Sequence, residues 1–156
     1  MQSVKLINAA ISTQAGNSVI FGEFDKSTPR FCGSSLLQNW ANPGSSALSV
    51  ETIPLSSLLN EKIDFLKLDI EGLETSALKE CESKIHQVAE ICIEFHGINT
   101  NTENRLDEIL AILDRNNFKV EIKHKTVQNI FPKNLLSWVQ ETGLSLAIIH
   151  ARNKVL

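Results

Sequence analysis

The sequence predicts an α/β fold in which helices pack on a mainly parallel sheet. Strand-like apolar runs alternate with helix-period segments from residue 50 to the end of the chain. The run Ile63–Ile70 is almost continuously apolar, which is typical of a parallel strand covered on both faces. Alternation of this kind favours crossover connections and a parallel sheet. The chain has 156 residues, enough for a hydrophobic core, and we expect a single domain over residues 1–156.

The first third of the chain predicts two strands and a long loop. Val4–Ile11 is a short apolar run that we interpret as a strand. After a turn at residues 14–17, Ser18–Phe24 is predicted to return as a hairpin strand. Residues 25–49 are rich in serine, proline and glycine, so we expect a long loop that contains a short helix at Leu36–Trp40.

The middle of the chain predicts a strand–helix–strand unit. A short strand at Val50–Ile53 leads to a helical turn at Leu55–Leu59, which Pro54 begins. Ile63–Ile70 is the next predicted strand, and Ala89–Phe95 is the one after it. Between these two strands, apolar residues recur at helical spacing, at Leu73, Ala77, Leu78 and Cys81.

A further helix is predicted after residue 100. Thr100 and Glu103 match a capping box, which would begin the helix, and Asn116–Asn117 would end it. The apolar face of this helix is formed by Leu106, Ile109, Leu110 and Leu113.

The end of the chain predicts a strand, a helix and a last strand. Apolar and charged residues alternate over residues 118–123, so one face of that strand is expected to be wet. Pro132 begins the following helix and Gly143 ends it, before the strand Leu144–Ala151. We expect the two strands to form an antiparallel hairpin at an edge of the sheet.

Composition and charge exclude several classes of function. The net charge is −3 and no basic run exceeds a pair, so the sequence lacks the basic footprint of a nucleic-acid-binding protein. No apolar run is long enough to cross a bilayer and no signal peptide is visible, so we expect a cytoplasmic protein without a membrane partner. The three cysteines, Cys32, Cys81 and Cys92, lack zinc or disulfide-framework spacing, and we interpret Cys81 and Cys92 as buried thiols.

Asp69 and Glu71 are the first candidates for chemistry. They end the apolar run Ile63–Ile70, and ligands of open α/β sheets bind at the carboxyl ends of the strands. Side chains two residues apart leave a strand on the same side, so this pair could bind a cationic ligand or act as a general base. Gly72 would let the backbone turn sharply into the helix. We interpret Glu74 as a residue that complements the positive end of that helix.

Glu94 and His96 end the following strand and form a second candidate pair. Histidine is the usual general base near neutral pH, and its position beside the Asp69 strand end gives a functional role as much weight as a structural one. Lys67 could be a buried ion-pair partner or could reach the surface, and both interpretations stay open. On chemistry alone, Asn8 predicts only a turn.

The segment that holds these candidates resembles a known family. IDFLKLDIEGLETSALK, which begins at Ile63, and ICIEFHG, which begins at Ile91, look like the FkbM-type family of S-adenosylmethionine-dependent methyltransferases. The upstream segments LINAAIS, GSSL and SVETIPLSSLL also fit the pattern of this family. The resemblance extends from about residue 4 to the end of the chain.

The resemblance implies an incomplete Rossmann-like class I methyltransferase sheet, with strands three to seven, covering helices and the antiparallel C-terminal hairpin. It also implies S-adenosylmethionine as the cofactor and a hydroxyl of a sugar or secondary metabolite as the methyl acceptor. A carboxylate suits the cationic sulfonium, and an alcohol acceptor needs a base within hydrogen-bond reach. The site residues implied are Asn8 and Ala9 near the adenine, Asp69 and Glu71 near the sulfonium, and Asp69, Glu94 and His96 at the reacting centre.

In this family a glycine-rich cofactor turn and an acidic ribose ligand come on two strands that would precede residue 4. We therefore expect the chain to be the C-terminal portion of such a domain, or a truncated form of it. In the strand order of the family, the two strands lie between the third and the fourth. Without them, the Ile63–Ile70 strand should have an unpaired apolar edge.

Two alternative functions remain open. The chain could be a non-catalytic remnant, or an interaction module that pairs with another chain or copy through the open strand edge. It could also be a metal-dependent hydrolase or transferase in which Asp69 and Glu71 provide oxygen ligands for magnesium.

Overall fold

The computed structural model describes residues 4–22, 34–38, 46–125 and 136–156. The strands are β1 (Ala10–Ser12), β2 (Gly16–Gly22), β3 (Ser46–Pro54), β4 (Ile63–Leu68), β5 (Val88–Gly97), β6 (Phe118–Lys125) and β7 (Ser145–Asn153). The helices are α1 (Glu74–Cys81), α2 (Leu106–Arg115) and α3 (Leu136–Thr142), with 3-10 helices at Leu55–Ser57 and Glu82–Gln87. The α/β class predicted from the sequence is confirmed.

The described strands form two sheets, in the orders β1-β3-β2 and β4-β5-β7-β6. Only the β1–β3 and β4–β5 pairs are parallel, whereas β2–β3, β5–β7 and β6–β7 are antiparallel. The prediction of a mainly parallel sheet is therefore wrong for the described strands. The antiparallel C-terminal hairpin is confirmed, with β6 at the sheet edge and β7 inserted beside β5. β7 lies between β5 and β6 and is antiparallel to both.

The hydrophobic core lies on one face of the four-stranded sheet. Leu68, Ile93 and Ile149 are almost fully buried there, together with apolar residues of α1 and α2. On the other face, Phe65 is 56% exposed, and Lys67 next to it on that face is exposed as well. The prediction that this strand is covered on both faces is thus wrong, because its apolar run places Phe65 on the exposed side.

β4 is an edge strand of its sheet. Its only pairing among the described residues is with β5, so the edge that faces away from β5 has no strand beside it there. This agrees with the unpaired edge expected at the Ile63–Ile70 strand. In the sheet order of the described strands, β4 is one of the two edges, and β6 is the other.

Several predicted boundaries move because strands need partners. The Val4–Ile11 prediction is wrong in its first part, since the strand begins at Ala10 and Val4 and Leu6 are 87% and 90% exposed. In the opposite direction, β3 begins at Ser46, within the predicted loop, because β2 pairs with it over its whole length.

The capping-box prediction for α2 is wrong. The helix begins at Leu106 and its N-cap is Arg105, whose side chain makes no capping hydrogen bond. The backbone N–H of Arg105 instead donates to the Thr75 hydroxyl of α1 at 2.9 Å. A tertiary partner thus takes the place of the local cap.

Two helix ends follow the prediction. Asn117, which follows the C-cap of α2, and Gly143, directly after α3, have φ values of 64° and 63°, the left-handed conformation that ends helices. Phe24, Cys32, Pro132 and residues 25–33 and 39–45 of the predicted loop lie outside the described residues, as does the end of the short helix predicted at Leu36–Trp40. Of the helices described, none is long and apolar enough to cross a membrane.

Candidate active site

A strained turn joins β4 to α1. Gly72 has a φ of 97°, which confirms that a glycine is needed at the sharp turn. Glu71, immediately before it, has a φ of 54°, which costs a residue with a Cβ atom about 1 kcal/mol or more. A non-glycine residue persists in this conformation only where its surroundings hold it. Because such residues cluster at functional sites, the turn is a candidate functional site.

Three hydrogen bonds hold the turn from different parts of the chain. The buried Ser35 hydroxyl donates to the carbonyl of Glu71 at 2.7 Å. The Asn101 side chain donates to the carbonyl of Gly72 at 2.7 Å. The backbone N–H of Gly72 donates to the Glu74 carboxylate at 3.0 Å. The backbone of the turn is therefore fixed by tertiary contacts, which direct the Glu71 side chain.

His96 lies between two carboxylates of this turn region. Its Nε2 atom is 3.5 Å from Glu71 Oε2, and its Nδ1 atom is 3.4 Å from Glu74 Oε1. The imidazole comes from the end of β5, the parallel neighbour of β4, so it meets the turn at the carboxyl edge of the sheet. His96 is 7% exposed, which leaves it buried but close to the surface.

Glu74 is fully buried, and its carboxylate is the centre of a polar cluster that also contains Glu71, His96 and Asn104. Asn104 donates one side-chain N–H to Glu74 Oε2 at 2.6 Å and the other to the carbonyl of His96 at 2.8 Å. Glu74 does lie in the first turn of α1, as a helix-complementing residue would. The interpretation of Glu74 as a helix-complementing residue is incomplete, because its carboxylate also contacts His96, the candidate base.

The polar cluster raises the pKa values of His96 and Glu71. Burial opposes the charge on His96, yet the hydrogen bond to Glu74 and the charges of Glu71, Glu74 and Asp69 outweigh it and raise the pKa of His96. Burial is also the main cause that raises the pKa of Glu71, and it outweighs the lowering by His96. The pKa values of both groups are therefore raised, and groups with shifted pKa values in one cluster are candidates for a functional site.

Asp69 lies at the outer side of the cluster. It is paired with Lys67, which is exposed, so Lys67 reaches the surface and also bonds to a carboxylate. Asp69, Glu71 and His96 each offer one oxygen or nitrogen atom, and these atoms lie within 4.8 Å of one another. Asp69 and Glu71 thus do converge beyond the end of β4, as predicted, and a cationic ligand would meet both.

Glu94 stands apart from the cluster. Its carboxylate accepts a hydrogen bond from Lys125 of β6 at 2.6 Å, across the intervening strand β7. Asn8 is exposed and Ala9 is half-buried, and both precede β1. Among the described contacts, no hydrogen bond joins Asn8, Ala9 or Glu94 to the polar cluster. Their predicted roles stay predictions.

A groove on the described surface lies away from the cluster. It has a volume of about 640 Å³ and is located between β1, α1 and α2, and it shares no residue with the cluster. Its lining residues are Thr13, Ser76, Lys79, Glu80, Glu103, Arg105 and Glu108. Some of these side chains are exposed and form ion pairs with one another, such as Lys79 with Glu108. The groove is therefore a weaker candidate for an active site than the buried polar cluster.

Sequence reasoning missed three supporting residues: Ser35, Asn101 and Asn104. Ser35 belongs to the GSSL segment, and only the family resemblance marked that segment. The two asparagines follow β5 in a connecting segment, where asparagine normally indicates a turn. Their partners in the turn and in α1, which are Gly72, Glu74 and Thr75, are 29 or 30 residues away in sequence, so no local spacing could have revealed these contacts.

Comparison with known protein families matches residues 4–120 to the family described as Methyltransferase FkbM domain. No curated protein and no solved structure matches the chain. The matched range covers more than half of the 156 residues and includes the strained turn, His96 and Asn104. The family prediction is therefore confirmed, and the chain belongs to the FkbM methyltransferase domain family.

Proposed function

We propose that this chain takes part in S-adenosylmethionine-dependent O-methylation, with a hydroxyl of a sugar or secondary metabolite as the acceptor. The observation that carries the proposal is His96, which is held between Glu71 and Glu74 where the parallel strands β4 and β5 end. A hydroxyl acceptor needs a base within hydrogen-bond reach, and histidine is the side chain that most often takes this role.

The donor set at this edge fits the proposed cofactor. When bound, S-adenosylmethionine supplies an electrophilic methyl group on a cationic sulfonium. Asp69 and Glu71 place two carboxylates at one point of the sheet edge, and carboxylates attract a cation there more strongly than in bulk water. Asn8 and Ala9 are proposed to contact the adenine on the grounds of the family resemblance.

His96 is proposed as the general base. His96 Nε2, deprotonated beforehand, would take the proton of the acceptor hydroxyl, while the cofactor would supply the methyl group and leave as the neutral thioether. Glu71 lies 3.5 Å from Nε2 and would stabilise the imidazolium that forms. Glu94 is proposed to orient the acceptor near His96, with its charge balanced by Lys125.

The test is methyl transfer from a labelled cofactor to a panel of hydroxyl-bearing sugars. We expect His96→Gln to lose about 100-fold or more in rate, the usual contribution of a general base, while cofactor binding is retained. The matched control is His124→Gln, which replaces an exposed histidine of β6. Equal rates for His96→Gln and the wild type would rule out the base role.

A second candidate function is an interaction module that pairs with a second copy through β4. The observation that favours it is the edge position of β4 together with the 56% exposure of Phe65. Sedimentation should then show self-association that Phe65→Lys weakens, whereas Ile122→Lys on the other edge strand should not. A stable monomer with cooperative unfolding would exclude this function.

The magnesium hypothesis stays a prediction. The convergence of Asp69 and Glu71 is the observation that bears on it. A rise in melting temperature with added magnesium, abolished by Asp69→Asn, would support the hypothesis. If magnesium has no effect on the wild type, the hypothesis is rejected.

A further inference from the structure

We propose that two copies of this chain pair by reciprocal strand exchange, in which residues 4–9 of each copy add to the free edge of β4 in the other copy. The second candidate function leaves open which strand lies beside β4, and residues 4–9 are that strand. The exchange itself is independent of methyl transfer, whereas its meaning for the cofactor site rests on the proposed function.

Residues 4–9 have the composition of a strand but belong to no strand of the described structure. Their sequence is VKLINA, and they lead directly into β1. Val4 and Leu6 are 87% and 90% exposed, and Ile7 is exposed as well. Exposed apolar side chains are stabilised when a partner surface covers them, and an extended segment that joins a sheet edge also gains backbone hydrogen bonds. The segment is therefore suited to complete a sheet at a free edge.

The edge of β4 that faces away from β5 is the complementary feature. Among the described residues it has no strand beside it, and Phe65 on this strand is 56% exposed. An unpaired apolar edge is a template for pairing with another chain. The other edge strand of the sheet, β6, carries Lys119, Lys123 and Lys125. Lysines protect an edge strand from pairing, and these would also repel Lys5 of an added segment.

One parallel register matches the side chains of the two segments. In this register residue 4 of one copy lies opposite residue 63 of the other, and each following pair advances by one residue. Lys5 then lies opposite Asp64, both of which are exposed, and Leu6 lies opposite Phe65. Facing pairs of opposite charge and of apolar side chains stabilise neighbouring strands. The antiparallel alignment about the same Leu6–Phe65 pair sets Lys5 opposite Leu66, so it loses the charge pair.

The exchange closes a dimer and completes the candidate site from both copies. Each copy offers one segment and one edge, so a two-fold axis relates the two pairings and the assembly ends at two copies. The parallel direction carries the segment toward the carboxyl end of β4. Asn8 of the partner subunit then lies opposite Lys67, which is itself paired with Asp69 of the site. Under the proposed function, the adenine contact of Asn8 is therefore made in the site of the other copy.

The first test reverses the charge pair and measures self-association by sedimentation. We expect Lys5→Glu and Asp64→Lys each to weaken the dimer by about 10-fold, because like charges then face each other twice in every dimer. The double variant should recover the wild-type affinity, since it restores opposite charges. Lys154→Glu is the matched control, because it makes the same change at an exposed position after β7. A wild-type dissociation constant above about 1 mM, or a double variant without recovery, would overturn the exchange.

The second test identifies the strands that meet. Leu6→Cys protein is mixed with Phe65→Cys protein and oxidised with diamide, and the linked peptides are identified by mass, which separates them from any linked through the three native cysteines. We expect a disulfide between position 6 of one copy and position 65 of the other. A disulfide between two positions 65 would show that β4 pairs with β4. A monomer of the double variant linked from 6 to 65 would show that the segment folds back on its own β4. Either of these two results overturns the exchange.

The two tests also separate the exchange from the proposed function. If the mixed disulfide forms and the charge reversal recovers, but the wild type transfers no methyl group, the proposed function fails and the exchange stands. If the wild type transfers methyl groups as a monomer in sedimentation, the exchange fails and the proposed function stands.

Discussion

The Ser35 hydroxyl donates a 2.7 Å hydrogen bond to the backbone carbonyl of Glu71, across 36 residues of sequence. Ser35 is itself held by two backbone hydrogen bonds with Phe21 of β2, at 2.8 and 3.0 Å. The small three-stranded sheet is thus tied directly to the strained turn of the candidate site. This contact explains how Glu71 can keep a positive φ, since its carbonyl is fixed from outside the turn.

Removal of this hydroxyl should destabilise the protein. We expect Ser35→Ala to lower the free energy of unfolding by about 1 to 2 kcal/mol, because the part-buried carbonyl of Glu71 loses its hydrogen-bond donor. The measurement is urea unfolding. Ser57→Ala is the matched control, because the Ser57 hydroxyl is exposed and bonds to the nearby carbonyl of Pro54. Equal losses in the two variants would show that the Ser35 contact does not support the turn.

Relief of the backbone strain at Glu71 should stabilise the protein but weaken its binding of the cofactor. We expect Glu71→Gly to raise the free energy of unfolding by about 0.5 to 1 kcal/mol at pH 8.5, since glycine adopts a positive φ without steric cost. The same change should weaken cofactor binding. Asn117→Gly is the control, because Asn117 also has a positive φ but lies after α2. A clear loss of stability in Glu71→Gly would contradict the strain argument.

The raised pKa of His96 makes its contribution to stability depend on pH. The folded protein binds the imidazole proton more tightly than the unfolded chain, whose histidine pKa is about 6.5. The contribution is therefore complete below that pH and is lost as the pH rises through the folded pKa. We expect the stability difference between wild type and His96→Gln to shrink over this range. If the stability difference grew with pH, the pKa of His96 would be lowered on folding and not raised. His124→Gln is the control.

The buried amide of Asn104 should matter more than any exposed amide. Asn104→Ala removes hydrogen bonds to Glu74, Thr75 and the His96 carbonyl, and leaves these buried groups without that partner. We expect a loss of about 2 to 4 kcal/mol in the free energy of unfolding. The control is Asn60→Ala, which removes an exposed amide bonded to the carbonyl of Ser57. A loss as small as that of the control would indicate that the network contributes little.

The sequence predicted the elements that carry strong local patterns. The apolar runs that form β4, β5 and β7 and the helical spacing of α1 and α2 predicted these strands and helices, although not their division into two sheets. The carboxyl-edge position of Asp69, Glu71 and His96 followed from the same alternation, because strand ends meet at one edge.

The remainder depended on tertiary contacts that leave no local trace. Val4–Ala9 has a strand-like composition, yet it forms no strand because a strand requires a partner. Thr75 replaced the predicted cap of α2, and Glu74 was interpreted from its helix position alone. Its contact with His96 crosses 22 residues, and only the folded arrangement brings the two together.

Calorimetric titration with S-adenosylmethionine tests the central claim most directly. We expect saturable binding by the wild type and a loss of about 5- to 10-fold, roughly 1 kcal/mol, in each of Asp69→Asn and Glu71→Gln. Asp64→Asn removes an exposed carboxylate near the start of β4 and should bind like the wild type. Binding that is absent in the wild type, or that falls equally in Asp64→Asn, would contradict a sulfonium site at this strand end.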